Sequence, residues 1–352
     1  MANSDADGQD KKVDLVFEGG GVKGIALAGA FSTLEERGFV PQNVAGTSAG
    51  SVVGSLVAAG YQAKELHDVL EETPFSAFQD KGWEDRIIGL GIPISVLKDH
   101  GIYEGKAVHQ WIKQKLAEKN VATFGDLKDP NEQDPRWRYR LQVVVSDVTH
   151  RRLLLLPRDA HVVGEDDPDR LEVALAVRMS ISIPIFFEPV TVSVGGHDVV
   201  LVDGGMLSNF PVWVFDSDGP PQWPTFGLKL VQPSPKNPEP GAPIEVPVKH
   251  NALKRLVNYL MSLQGTMTDA HDKLYLERDT FVRTITIPNL GVKATDFNLP
   301  HETAEALYKS GQDAAETFLA TWDFEAYKKA FRSDVQQPTR REAVVSRMKA
   351  ST

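Results

Sequence analysis

Ser48 stands in the run Gly46-Thr47-Ser48-Ala49-Gly50, a G-x-S-x-G pattern. A hydroxyl held on a sharp strand-to-helix turn needs neighbours without side chains on both sides, or the turn cannot close. Such a turn lifts the oxygen to the mouth of a sheet as a nucleophile. It also aims the N–H of Ala49, at the helix start, toward the same point. The 352-residue chain contains no cysteine, which excludes disulfides, thiolate metal sites and a sulfur nucleophile. Covalent chemistry must therefore come from oxygen or lysine. The pattern alone is expected about 0.12 times by chance in a chain of this composition, so it needs company.

Two further runs supply it. Gly19-Gly20-Gly21-Val22-Lys23-Gly24 lies between an apolar strand pattern and a helical one. It satisfies G-x-G-x-x-G, but a dinucleotide site also wants a carboxylate about 20 residues on for the ribose. Phe39-Val40-Pro41-Gln42-Asn43 has none. Lys23 is followed by Gly24, not Ser or Thr, and the spacing is wrong for a Walker loop. What remains is a glycine turn at a helix amino terminus, whose N–H groups suit an anion, including one that develops during a reaction. The stricter G-G-G-x-[K/R]-G form is expected only about 0.0015 times by chance. The third run, Asp203-Gly204-Gly205, follows the apolar residues 199–202. By itself it is a plain turn; beside the other two it offers a base.

A serine elbow first suggests a Ser–Asp–His triad, with the histidine last in chain order. His250, His271 and His301 are the candidates after residue 203. The elbow, however, comes after a single preceding strand, where an α/β-hydrolase places several. In their order and spacing the three glycine-containing runs instead resemble the patatin-like phospholipase family, whose pattern is an oxyanion loop, a serine elbow and a later D-G-[G/A]. Arg178-Met179-Ser180-Ile181-Ser182-Ile183-Pro184, Phe187-Glu188-Pro189-Val190 and Leu207-Ser208-Asn209-Phe210-Pro211 resemble the family's segments around the last motif. Glu18 departs from it, because many members carry Asp there.

The resemblance covers residues 13–325 and implies a three-layer α/β/α fold with a mostly parallel central sheet. It implies a Ser48 nucleophile and an Asp203 base, with an oxyanion held by N–H groups of Gly19, Gly20, Gly21 and Ala49. Lys23, Gly24, Gly46, Gly50, Gly204 and Gly205 support the motifs. No cofactor, metal or dinucleotide is expected. The implied activity is lipid acyl hydrolysis of phospholipase A, lysophospholipase or esterase type. The alternatives are a serine acyltransferase on the same two residues, or a non-catalytic nucleotide-binding or regulatory module.

The elements that must position these residues are readable from hydrophobic spacing. Residues 13–17 read as a strand, 25–37 as a helix, 43–45 as a short extended piece and 51–59 as a buried helix, which opens a parallel α/β sheet. Helices are also expected at 106–118, 170–179, 252–276 and 301–322. Strands are expected at 141–145, 152–156 and 281–287, and a hairpin joins 190–194 to 199–202 at Gly195-Gly196. Residues 74–103 are apolar and glycine-punctuated, a candidate lid or cap on the core. Phe210, Trp213 and Trp223 are candidate acyl-site residues or core. Residues 231–247 are proline-rich and read as an extended loop.

One domain is expected over 13–325, after a disordered 1–12 and before a basic helix and tail at 326–352. Net charge is −10, which removes any global attraction for nucleic acid or anionic bilayers. The last 27 residues are basic; they read as a solvated helix and tail, or as a weak lipid-headgroup contact. No signal peptide and no apolar run of about 18 residues is seen. The expected place is the cytoplasm, with peripheral contact at membranes, and the expected partner is a lipid or acyl-ester substrate.

Overall fold

The computed structural model describes residues 11–73, 101–134, 136–217, 219–232, 278–293, 296 and 298–332. The candidate lid at 74–103, except for 101–103, lies outside them, as do the helix at 252–276, the proline-rich residues from 233 on, His250 and His271.

The sheet is built around β1 (Lys11–Phe17), β2 (Phe39–Thr47) and β4 (Leu141–Asp147). To these it adds β5 (Arg152–Leu156), β7 (Val190–Val194), β8 (His197–Asp203), β9 (Thr225–Val231) and β10 (Thr284–Pro288). Its order is β10-β9-β1-β2-β4-β8-β7, with β5 also on β4. The pairings from β10 to β4 are parallel, and those of β4 with β5 and β8, and of β7 with β8, are antiparallel. The parallel core is thus five strands, closed on one side by a hairpin turned at Gly195 and Gly196, both at positive φ. A separate pair joins β3 (Gly101–Tyr103) to β6 (Ile185–Phe187) in parallel.

Alternation along the central strands decides the layers, because successive side chains face opposite sides. Val13, Leu15 and Phe17 of β1 enter the larger core, with Val44 of β2 and Leu141, Val143 and Val145 of β4. That face is covered by α1 (Gly24–Glu36), α2 (Ala49–Ala58), α3 (Ala63–Glu72), α4 (Lys106–Glu118) and α5 (Val173–Ser180). Val16, Ala45 and Val144 face the other way and pack under Phe210, Val212, Val214 and Phe215. On that second face the described cover is a run of 3-10 turns. The result is a mixed sheet flanked on both faces, as the α/β/α expectation requires.

Near the carboxyl end come the short α6 (Arg278–Val282), then α7 (His301–Leu319) and α8 (Phe324–Phe331). The strand expected at 281–287 therefore starts later, at Thr284. Phe281 and Val282 are apolar but exposed, so hydrophobicity there did not mark a buried strand. The strand read at 43–45 is longer, Phe39–Thr47, and includes Pro41 beside a register irregularity between Val13 and Leu15. Proline is tolerated at such a bulge because no ladder donor is needed. The helix read at 170–179 starts at Val173, after a 3-10 turn at Pro168–Arg170. Helix α8 packs Tyr327 on Trp322, and Arg332 reaches Asp216, so the start of the basic segment is attached to the domain.

Candidate active site

The carboxyl ends of β1 and β2 carry the glycine loop and the serine turn, the place where open α/β sheets bind ligands. Thr47 pairs with Val144, and on the same edge of β4, opposite β5, Asp203 pairs with the next residue, Val145. Register therefore brings Ser48 and Asp203 together where β2 ends and β8 takes over along that edge. The gap is closed by side chains: Ser48 Oγ donates to Asp203 Oδ2 at 2.6 Å.

Ser48 has φ 52° and ψ −130°, a strained region for a residue with a Cβ, worth about 1–3 kcal/mol. The surroundings over-determine it. A Cβ on Gly46 would lie 2.4 Å from the Gly50 carbonyl oxygen, and one on Gly50 would lie 2.2 Å from that of Phe17. Both glycines are required by close backbone approach, the mechanical reason for the spacing. The Ser48 N–H donates to Ser180 Oγ at 2.9 Å, and Ser180 Oγ donates to the Val144 carbonyl at 2.7 Å. Ser51 Oγ donates to the Ser48 carbonyl. Ala49 opens α2, so its N–H has no intrahelical partner.

Asp203 is 2% exposed. Its other oxygen accepts the Gly205 N–H at 2.7 Å, and Gly204 and Gly205 begin a 3-10 turn, Gly204–Met206. Burial pushes the carboxyl up to about 6, against the lowering effect of the Ser48 and Gly205 hydrogen bonds. A carboxylate with that affinity is a much better base near neutrality than a free one at about 3.9.

The glycine loop approaches Ser48 from β1. A Cβ on Gly19 would lie 3.0 Å from Ser48 Cβ and 2.1 Å from Asn209 Oδ1. The Gly19 N–H is engaged by the Asn209 carbonyl at 3.2 Å, and Asn209 Nδ2 returns a bond to the Gly19 carbonyl. This corrects the expectation for Gly19, whose amide is already held by protein. Gly20 and Gly21 lead into a 3-10 turn, Gly21–Lys23, with Gly21 at φ 60°, and Gly24 starts α1. Lys23 is mostly buried, which lowers its basicity while the Glu18 charge opposes that. Glu18, in place of the family's usual Asp, accepts from Lys229 Nζ and from the Leu230 N–H on β9. The longer side chain thus ties the loop to the neighbouring strand.

Other candidates fall elsewhere. His301 is exposed and bonds Glu71, and His150 bonds the buried Asp147. Among the described residues no histidine hydrogen-bonds Ser48. Phe210 and Trp213 belong to the smaller core. Trp223 is not beside Ser48: it bonds Asp14 and lines a cavity of about 640 Å³ with Asp14, Asn43, Trp137 and Arg140. That cavity lies toward the amino-terminal ends of the parallel strands, and neither Ser48 nor Asp203 lines it.

Sequence reasoning quoted Ser180, Asn209 and Arg178 without assigning them a role. Their signal is a polar residue inside an apolar run, and only the fold shows which backbone group each meets. Arg178, 5% exposed, donates to Ser182 Oγ and to the carbonyls of Glu104 and Glu188. It holds the chain before α4 and after β6 onto the end of α5.

The chain is similar to known proteins in sequence and fold. The uncharacterized protein YqhO of Bacillus subtilis is 36% identical over 312 residues, 89% of this chain and 99% of its own. A cUMP-AMP-activated phospholipase of Escherichia coli is 22% identical over 81% of this chain and 85% of its own. The solved structure of VipD from Legionella pneumophila has a similar fold, with TM-score 0.50 at 18% identity over 89% of this chain and 67% of that one. The sequence model of the patatin-like phospholipase family matches residues 15–216, a span that holds the glycine loop, the Ser48 turn and Asp203, and the chain belongs to that family.

Proposed function

We propose that this protein is a lipid acyl hydrolase that cleaves carboxylic esters through an acyl-Ser48 intermediate, with Asp203 as the base. The carrying observation is the 2.6 Å hydrogen bond from Ser48 Oγ to Asp203 Oδ2, made by a serine on a strained turn to a buried carboxylate. Family membership supports lipid as the substrate class.

Asp203 takes the Ser48 proton as Oγ attacks the ester carbonyl carbon. Negative charge moves to the carbonyl oxygen, where we assign the N–H groups of Gly20, Gly21 and Ala49 as donors. Gly19 instead positions the loop through Asn209. Removing one such donor typically costs about 10²–10³ in rate. Collapse breaks the C–O bond to the leaving group, which receives the proton from Asp203 and departs as an alcohol. Water, deprotonated by Asp203, then attacks the acyl-serine; the C–Oγ bond breaks, Ser48 Oγ takes the proton back from Asp203, and the acid leaves. The strain at Ser48 keeps Oγ presented, so little reorganisation is needed at attack.

The test is turnover of a short-chain p-nitrophenyl ester and labelling by a fluorophosphonate, on wild type, Ser48→Ala and Asp203→Asn. Wild type is expected to label and turn over, with EDTA present or absent. Ser48→Ala should neither label nor turn over, and Asp203→Asn should lose about 10²–10⁴ in kcat. Wild-type labelling and turnover in Ser48→Ala would falsify the mechanism. Phospholipid, lysophospholipid and neutral-ester substrates compared on the wild type then define the lipid class.

A further inference from the structure

Two histidines and two glutamates outside this site meet between α3 and α7. His67 and Glu71 are four residues apart on α3, and His301 and Glu305 are four apart on α7. That spacing puts each pair on one helical face, and it is the chelating spacing by which helices present two ligands to a metal. Each histidine reaches the other helix's glutamate. His67 Nε2 lies 2.9 Å from Glu305 Oε1, and His301 Nδ1 lies 2.8 Å from Glu71 Oε1. One donor atom from each of His67, Glu71 and Glu305 lies within 4.8 Å of the other two. His67 and Glu305 stand 238 residues apart, so only the fold pairs the two His-x-x-x-Glu segments.

We propose that these residues form a structural site for one divalent transition metal of the zinc type, held by His67, Glu71 and Glu305, with His301 as the fourth ligand. Two carboxylates and two neutral imidazoles balance a dication. Among the described residues, no lysine or arginine pairs with Glu71 or Glu305 to compete for them. Mixed nitrogen and oxygen donors suit zinc, whereas calcium and magnesium take oxygen ligands in larger or octahedral sets. Zinc bonds of about 2.0–2.2 Å in a tetrahedron place donors roughly 3.3–3.5 Å apart. The two 2.8–2.9 Å contacts need only open slightly, and the wider separations among the donors of His67, Glu71 and Glu305 need to close, with His67 binding through Nε2 alone.

The surroundings resemble an outer ligand shell. Metal-bound imidazoles are commonly oriented by a carboxylate at the other nitrogen, and Asp68 Oδ1 lies 3.7 Å from His67 Nδ1. The His67 ring is further fixed by the Tyr308 ring, centroids 4.2 Å apart. Helices α3 and α7 both pack on α1, so a metal between them would staple the outer helices across the one that leaves the glycine loop. None of the four residues takes part in the proposed ester chemistry.

The full-length chain, stripped with EDTA and dialysed, is titrated with Zn²⁺ by calorimetry. Parallel samples receive Co²⁺ for visible absorption and Zn²⁺ for thermal melting. One Zn²⁺ per chain is expected, with tetrahedral Co²⁺ bands. The melting temperature should rise about 5 °C at 100 times the dissociation constant. His67→Ala and Glu305→Gln should each weaken Zn²⁺ binding by more than about 100-fold, and His301→Ala should weaken it less. Far-UV circular dichroism of all three variants reports that they fold. The proposal is overturned if wild type shows no saturable Zn²⁺ binding, or if affinity is unchanged in both His67→Ala and Glu305→Gln. These readouts do not depend on the ester chemistry, so a failure of either proposal is seen separately.

Discussion

Asp203 shows how burial sets a single residue's work. Its carboxyl is held near 6 by desolvation, and only the ionised form can take the Ser48 proton. The expected kcat/KM profile therefore rises through pH 6 and is flat from about 7 to 8. A limb below pH 5 in initial-rate measurements would assign the base elsewhere. Ser180 acts one step back, as a positioning residue. Ser180→Ala leaves the buried Ser48 N–H and one bond of the Val144 carbonyl unsatisfied, at a cost of about 1–3 kcal/mol each. We expect kcat to fall roughly 10-fold with KM unchanged, because the turn that presents Oγ loosens while the substrate's binding surface stays. Ser48 and Asp203 were legible because their turns demand glycines at fixed offsets. Ser180 was not, because a hydroxyl in an apolar helix end has no spacing rule, and its partner is 132 residues away.

At the scale of elements, α1, which follows the glycine loop, crosses α7 at close range. A Cβ on Gly29 of α1 would lie 2.0 Å from the Tyr308 carbonyl oxygen, and one on Gly311 of α7 would lie 2.0 Å from that of Ala26. The two helices thus touch backbone to backbone. Gly311→Val must force them apart, and a loss of more than about 3 kcal/mol is expected in urea or thermal unfolding. A variant that melts like wild type would show the crossing to be soft. Elements with a clear period, such as α1, α2, α4 and the hairpin β7–β8, were readable from sequence. The start of β10 was not, because Phe281 and Val282 are apolar without being buried. The crossing at Gly29 and Gly311 was also silent, since single glycines in helical patterns look like defects.

Across the whole molecule, two buried carboxyls oppose folding at neutral pH. Asp14 accepts from the Asn43 backbone and side chain, yet burial pushes it up to about 7 from an ordinary 3.8. Asp203 behaves likewise. Between about pH 4 and 7 the folded chain therefore binds more protons than the unfolded one, and stability falls as pH rises through that window. Asp216 is opposite in sense: burial alone would raise it, but the Arg283 and Arg332 guanidiniums hold it below the ordinary range. Its contribution is lost only as acid protonates it. The melting temperature is thus expected to peak near about pH 4, at the lower edge of that window. Asp14→Asn should flatten the decline toward pH 7.5, measured by calorimetry across buffers; an unchanged slope would remove Asp14 from the account. Asp14 could not be singled out in the sequence, since its burial depends on the loop that brings Trp223 over the strand ends. The basic end is likewise less free than its composition implied, because Arg332 is committed to Asp216. Among the described residues, no helix is long and apolar enough to cross a membrane.

The strand order β10-β9-β1 also sets a timetable for synthesis. Strand β1 leaves the ribosome well before its partner on one side, β9, which comes about 210 residues later, some 10–40 s at ordinary translation speeds. Until then β1 has an open edge, and Glu18 lacks both Lys229 and the Leu230 amide that fix the glycine loop. Nascent chains therefore carry Ser48 long before the loop beside it is in register. Under the proposed mechanism, attack on an ester waits for residues 225–231 to dock.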